Sequence, residues 1–270
     1  MFFKKKKILS IDELNAYRLA YGKPIEKKEL FLSLGVPFVV AFFYIFILFY
    51  CWWLALIAGF VAMGYGYTFI VPQQVKRVYE NNAFREKNNF VNNMTQILTN
   101  NDKTVLQALK TVADRSNGEF KEDLLKLQAK IVDGTDDDVQ NSFLWLAEKY
   151  ESDVIFSLYV EQLTTLIVEG RSNIETLKDI KTYHNEIKKR QETFFNQKQQ
   201  KERDFKFMCK VGVLFIITMT VSFGFKQFIE VYAHNPIGWV SSLTYLLLLA
   251  QTYHTFLKRM GDDSIMEVKI

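Results

Sequence analysis

Apolar positions along the chain fall into two kinds of run. From Phe31 to Val71 and from Val211 to Leu257 they are nearly continuous and apolar all round. Between about Phe90 and Gln191 they recur at three- and four-residue spacing among polar residues. The first kind suits helices surrounded by lipid; the second suits helices that turn one face to a core. Phe31 to Tyr50 is about twenty residues, or ~30 Å of helix, enough to cross the hydrocarbon of a bilayer. Pro37 falls inside it as a tolerable kink. Cys51-Trp52-Trp53 predicts a tight reversal at an interface, where indole rings settle. Leu54 to Val71 returns, with Gly59, Gly64 and Gly66 letting a neighbouring helix come close, and Pro72 closes the hairpin. A third span covers Val211 to Phe225, extended by Phe205, Phe207, Met208 and Cys209. An outer loop at Glu230, His234, Asn235 and Pro236 and a fourth span from Gly238 to Leu257 follow.

The amphipathic middle says one thing three times. Ile97-Leu98-Thr99-Asn100-Asn101, Ile131-Val132-Asp133-Gly134 and Ile167-Val168-Glu169-Gly170 each end an apolar pattern at a turn residue, and a new helical stripe follows. A period of roughly 33–36 residues is that of a helix–turn–helix hairpin. Glycine, or Asn next to it, supplies the left-handed residue that ends a helix. Asn101, Gly134 and Gly170 are therefore structural turn residues. Asp102, Thr135 with Asp136-Asp137-Asp138, the break and cap at Glu151-Ser152-Asp153, and Ser172 or Asn173 are the helix starts. The three acids could instead bind a cation or a basic partner, but their place at a helix N-terminus accounts for all of them. Val154 to Val168 is the most apolar of these helices and belongs at the bundle centre. The last stripe, Ile174, Leu177, Ile180, His184, Ile187, Gln191 and Phe194, fades into charged residues with nothing to break the helix. It predicts a stalk from Ser172 to Asp204 leading directly into the third span.

The resulting fold class is an all-α membrane protein. Four transmembrane helices carry a cytoplasmic bundle of about six helices, three hairpins, inserted between spans 2 and 3. In segments, 1–29 is a basic N-terminal stretch with a short amphipathic helix and 30–71 the first membrane hairpin. Residues 72–204 are the helical domain and stalk, 205–257 the second membrane hairpin, and 258–270 a tail. In the first segment Ile11, Leu14, Tyr17 and Tyr21 share a side, placed on the membrane surface with Lys4-Lys5-Lys6-Lys7 over lipid phosphates; a partly ordered basic tail is the alternative.

Charge fixes the expected topology. Lys27-Lys28 before the first span, Lys76-Arg77 after the second and Lys258-Arg259 after the fourth put both termini and the bundle in the cytoplasm. The chain's 34 Lys and Arg against 30 Asp and Glu, a net +4, suit an anionic inner leaflet, and no nucleic-acid module is present. Cys51 and Cys209 fall on opposite sides, so no disulfide is expected. There is no phosphate-binding loop, His-Glu-x-x-His, paired-cysteine metal site or nucleophile elbow. The three histidines lie in three environments, His184 alone on a helical stripe as a core or boundary residue. No catalytic residue, metal ligand or cofactor is expected. Candidate partner-docking residues are Asp136, Asp137 and Asp138 and the basic run Lys188, Lys189 and Arg190, each of which also reads as a plain solvated face.

Two spans, a helical-hairpin domain and two more spans, together with Gly170-Arg171-Ser172-Asn173-Ile174-Glu175-Thr176-Leu177, resemble the type II secretion F-domain family. Gly134 with Val139 and Phe143 is similar to a second family turn. Asn101 stands where the first turn often has Gly, with Ala108-Leu109 after it, and Ser142-Phe143 stands where Ala-Leu is usual. The likeness covers about Phe90 to Phe225. A single helical domain behind a membrane hairpin looks like the shorter tight-adherence (Flp-type) pilus members. The resemblance implies a platform protein of the inner or plasma membrane that couples a hexameric cytoplasmic ATPase to pilin-like subunits. It also implies assembly with copies of itself or a sibling F-domain protein. A membrane-anchored helical scaffold for another cytoplasmic protein is the rival reading, and a small transporter or channel a further one.

Overall fold

The structure is a computed structural model and describes residues 10–100, 103–132, 134–169 and 174–260. Among these residues all regular structure is helical, with no strand. The chain divides into two units, one from residues 10–15, 24–77 and 196–260, the other from 16–23 and 78–195.

The first unit holds the apolar runs. Helices α2 (Lys27–Phe49) and α3 (Trp52–Tyr65) form the expected hairpin. Its reversal is made by Tyr50, in the left-handed region at φ 51°, whose N–H donates to the Phe46 carbonyl at 2.8 Å. Of the three glycines expected to admit a neighbour, Gly59 does so. A Cβ on it would lie 2.8 Å from the Phe38 ring, whereas one on Gly66 would make ordinary contact at 3.5 Å with Pro37 and the Ser33 carbonyl, and Gly64 faces open space.

Pro72 does not close the hairpin. A π turn at Gly66–Ile70 precedes α4 (Val71–Asn100), and Trp52–Thr99 runs on as one 48-residue helix. A wider π turn rearranges the carbonyls that face a proline lacking an N–H, so the helix can continue through it. Three described helices are long and apolar enough to cross a membrane: Lys27–Phe49, Trp52–Thr99 and Ile174–Phe223. The fourth expected span, α11 (Pro236–Met260), is 25 residues long, but Ser241, Ser242, Thr244, Gln251 and His254 dilute its apolar run. The expected loop before it is largely helical. After Gly224 (φ 82°) come α10 (Phe225–Phe228) and a π turn at Ile229–Ala233, which takes in Glu230; only His234 and Asn235 separate it from α11.

The second unit closes a core of its own. α5 (Val105–Arg115), α6 (Gly118–Ile131), α7 (Asp136–Lys149) and α8 (Val154–Glu169) pack with the later turns of α4 and the first turns of α9 (Ile174–Phe223). Phe90, Phe120, Tyr150, Phe156 and Tyr159 meet edge to face or steeply tilted at its centre, 5.4–6.2 Å between centroids. Such pairs add to the area they bury because ring edges and faces carry opposite partial charge. α8 is central, but through one face: Phe156, Tyr159, Val160, Leu163 and Leu166 are buried while Val154 and Leu158 are exposed.

Helix starts follow local chemistry. Thr104 caps α5 in a reciprocal box with Gln107, the place the sequence had suggested for Asp102, which lies outside the described residues. Thr135 caps α7 in a box with Asp138, and Asp153 Oδ1 accepts from the Phe156 N–H at 3.2 Å. The expected stalk is continuous: α9 has 50 residues, ~75 Å of helix. The short N-terminal helix α1 (Ile11–Leu19), boxed by Ser10 and Glu13, turns part of its apolar side to protein and leaves Ile11, Tyr17 and Leu19 exposed. Leu14 is buried with Val71 and Val75, while Tyr17 and Tyr21 lie against the Tyr79 ring.

Candidate functional site

The polar residues that organise the second unit lie between α4 and α9. His184 is fully buried, with its ring 5.1 Å from Phe84 and nearly parallel to it. The Asn88 amide donates to His184 Nδ1 at 2.9 Å and to Asn185 Oδ1 at 3.0 Å. Asn92 and Asn185 exchange amide hydrogen bonds at 2.9 Å in both directions. One turn and a half further along, Gln191 donates to Asn81 Oδ1 at 3.4 Å. A donor facing Nδ1 leaves the ring proton of neutral His184 on Nε2, which is buried without a hydrogen-bond partner. Burial, and after it the charges of Lys87 and Lys188, hold the imidazole below its ordinary range against the pull of Asp153. The stripe residue expected to be a core or boundary histidine is thus a neutral core histidine inside an amide ladder.

An ion pair and a three-residue ion cluster flank this seam. Lys87 on α4 meets Asp153 at 2.5 Å, its ammonium held among the Phe84, Tyr150 and Phe156 rings at 5.7–6.0 Å. On α6, buried Asp123 accepts from Lys149 and from the Tyr150 hydroxyl at 2.8 Å, while Glu119 accepts from Lys149 at 3.2 Å and Tyr79 at 2.8 Å. Burial, and then the hydrogen bond and charge of Asp123, push the Tyr150 phenol well above its ordinary value, so it remains a donor. Burial works against the Lys149 charge, but Asp123 and Glu119 outweigh it and raise that group. Every charge here has an opposite partner, and among the described residues no three His, Cys, Asp or Glu gather as a metal site. The arrangement's chemistry is that of fixing register: an unpaired amide or charge in this interior is costly, so sliding α4 past α9 is opposed.

Of the turn residues, Asn101 and Gly170 lie outside the described residues. Gly134 is described and lies between α6 and α7. A Cβ there would lie 2.9 Å from the Asp138 Cβ and 3.0 Å from the Lys130 carbonyl. Close approach of the α7 capping box excludes a side chain. A left-handed glycine occurs at Gly118 (φ 63°), where a Cβ would strike the Ala20 carbonyl at 2.2 Å and the Glu119 N–H donates to that carbonyl at 2.7 Å. The sequence marked Ser116-Asn117-Gly118 only as a break; what it did not reveal is that the N-terminal segment docks there.

The docking candidates sit on separate helices. Asp136, Asp137 and Asp138 are exposed in the first turn of α7, where Asp138 is engaged by Thr135 and its hydrogen bonds lower its carboxyl. Lys189 and Arg190 are exposed on α9 and Lys188 is half-buried. The amide ladder, Asn88, Asn92 and Asn185, was missed because asparagines amid polar residues give no periodic signal. Both cysteines are free; Cys51 Sγ lies 3.9 Å from His234 Nε2, and His254 bonds the Tyr65 hydroxyl at 2.8 Å.

The chain is similar to the uncharacterized protein pXO2-23 of Bacillus anthracis, 42% identical over 266 residues that cover 98% of this chain and 96% of the relative. It belongs to the family of that protein. The alignment passes through both units of the chain. No family model matches the chain, and no solved structure matches it.

Proposed function

We propose that the chain is a membrane platform component of a type II secretion or type IV (tight-adherence-like) pilus machine. In this reading a hexameric cytoplasmic ATPase moves the helical unit, and the spans hand that movement to pilin-like subunits in the bilayer. α11 serves as the fourth span, the termini face the cytoplasm, and the platform is completed by further copies or a sibling protein.

One observation carries the reading. The two helices joined by the amide ladder, α4 and α9, are those that continue as the apolar stretches Trp52–Thr99 and Ile174–Phe223. A displacement at Asn88 or Asn185 therefore travels along unbroken helix toward a membrane-type segment, and the ladder makes the two helices move together. Asp136 and Asp137 on one side, and Lys189 and Arg190 on another, offer the ATPase exposed charges of either sign. The test places a photo-crosslinking residue at Asp137 and, separately, at Lys189 in the full chain co-expressed with its cognate secretion ATPase. The expected result is an ATPase adduct that depends on nucleotide turnover. Absence of any adduct during turnover at both positions overturns the proposal.

A further inference from the structure

The first unit contains a cavity of about 810 Å³ whose two ends differ in chemistry. Its depth is apolar, walled by Val36, Val40, Ile45, Val213, Leu246 and Leu249. Tyr44 is the polar group there, and its hydroxyl is already bonded to that of Tyr245 at 2.5 Å. At the other end stand Gln73, Gln74, Arg77, Glu202 and Lys206, while Lys210 stands further in along α9, two residues before Gly212, which faces the Tyr44 and Tyr245 hydroxyls. Three helices converge at this mouth: Gln73 donates to the Leu257 carbonyl at 3.4 Å and Lys198 to the Met260 carbonyl at 3.0 Å. Among the described lining residues the charged groups are Arg77, Lys206, Lys210 and Glu202, with Glu202 paired to Lys206 at 2.7 Å.

The dimensions select an occupant. Along α2 the apolar wall runs from Val36 to Ile45, ~14 Å; with the charged mouth included, the lining runs ~17 Å along α9, from Glu202 to Val213, and ~21 Å along α11, from Leu246 to Met260. One leaflet contributes about half of a ~30 Å hydrocarbon layer, or ~15 Å. The cavity is one leaflet deep, too short for a helix that must cross the whole layer. It offers an apolar slot to hydrocarbon and a cationic rim to a head group, and basic pockets between spans are suited to anionic lipid. We propose that the cavity holds an acyl chain of an anionic phospholipid, its phosphate seated among Arg77, Lys206 and Lys210. The site rests on the membrane placement of this unit, and on no part of the secretory reading.

The experiment uses the full chain purified in detergent and titrated, by native mass spectrometry, with phosphatidylglycerol and phosphatidylcholine of identical chains. Three cations near a lipid phosphate predict a preference for the anionic lipid on the order of tenfold. Arg77→Gln, Lys206→Gln and Lys210→Gln combined should bring it down to the phosphatidylcholine level with helicity unchanged. Ala41→Phe, which fills the slot, should weaken binding of both lipids while leaving the rim intact. Cys209 lines the cavity, so in a Cys51→Ser background phosphatidylglycerol should slow its alkylation severalfold more than phosphatidylcholine does. Equal binding of the two lipids, a preference that survives the triple variant, displacement by millimolar inorganic phosphate, or a co-purifying polypeptide in the slot would each overturn the proposal. Carbonate extraction of cell membranes separates the two failures. A chain that stays in the membrane without lipid preference removes only this site; one that washes off removes the membrane placement beneath it.

Discussion

The two units spend the same kind of residue in opposite ways. In the helical unit Phe90, Phe120, Phe143, Phe156 and Tyr159 are all fully buried, and the charges packed near them are paired, Lys87 with Asp153 and Lys149 with Asp123. In the other unit Phe31, Val221 and Ile237 are each more than 70% exposed, and the buried clusters are small ones around Leu48 and Leu14. A contiguous apolar exterior of this kind is not tolerated against water, and it marks a surface covered by something apolar. Hydrophobic burial in the first case is internal and follows from the fold; in the second it is left to the surroundings. The lesson is that composition cannot separate the two, whereas periodicity can, because only the helical unit alternates apolar with charged positions.

That contrast has measurable consequences for thermal unfolding of the full chain in detergent, followed by circular dichroism. Phe120→Ala removes a ring at the centre of the edge-to-face cluster and should cost about 3–5 kcal/mol, the range for emptying an aromatic site in a closed core. Asp153→Ala comes next. It strands Lys87 among three rings and removes the α8 cap, which should cost about 2–4 kcal/mol after allowing for the pair's residual exposure. Asp153→Asn keeps the cap and should recover part of the loss. If neither variant destabilises the chain, the helical unit is not the tightly paired interior described above.

A smaller effect depends on pH. The His184 imidazole is held below its ordinary 6.5 in the folded chain, so the unfolded chain binds the proton more readily. Stability from this residue is therefore full above about 6.5 and declines as pH falls below it, levelling once the folded value is passed. Melting temperatures measured between pH 7.5 and 5.5 should fall in the wild type, and the slope should shrink in His184→Gln, which cannot titrate. An unchanged slope in that variant would assign the acid sensitivity to another group.

How much of this was readable beforehand follows from the physics of each feature. Helix period, caps and the α2–α3 reversal are local properties, and Thr135 with Asp138, Asp153 and the Cys51 reversal could be placed from neighbours alone. Pro72 misled because a proline signals a break only when the backbone cannot adjust, and the π turn before it is not encoded in any simple pattern. Gly134 was recognised as a turn residue from spacing, but the nearness of Lys130 and Asp138 that also constrains it is a distance that spacing does not express. The amide ladder depends on two helices roughly a hundred residues apart in sequence, so Asn88 and Asn185 carry meaning only once both are in place. The cavity is the same case, since Arg77, Lys206 and Lys210 read as flanking charges until three helices meet.

The smallest predicted effect is the most informative about the contrast. Val160 and Val221 are the same residue on helices, one fully buried in the closed core and the other 74% exposed on the apolar exterior. Val160→Ala loses packed contacts that nothing replaces and should cost about 1–3 kcal/mol. Val221→Ala exchanges one apolar surface for a slightly smaller one against hydrocarbon, and no cavity forms because lipid or detergent moves in. Its effect should stay within about 0.5 kcal/mol, as for a surface site without partners. Leu214→Lys discriminates further. Leu214 is 63% exposed near the middle of the apolar stretch that ends α9. Against water the change would be mild, whereas in hydrocarbon a charged side chain away from the interface costs about 2.5–3.5 kcal/mol and should reduce membrane insertion. A mild Leu214→Lys variant that inserts at wild-type levels would mean that this exterior does not face lipid, and the distinction between the two units would have to be drawn elsewhere.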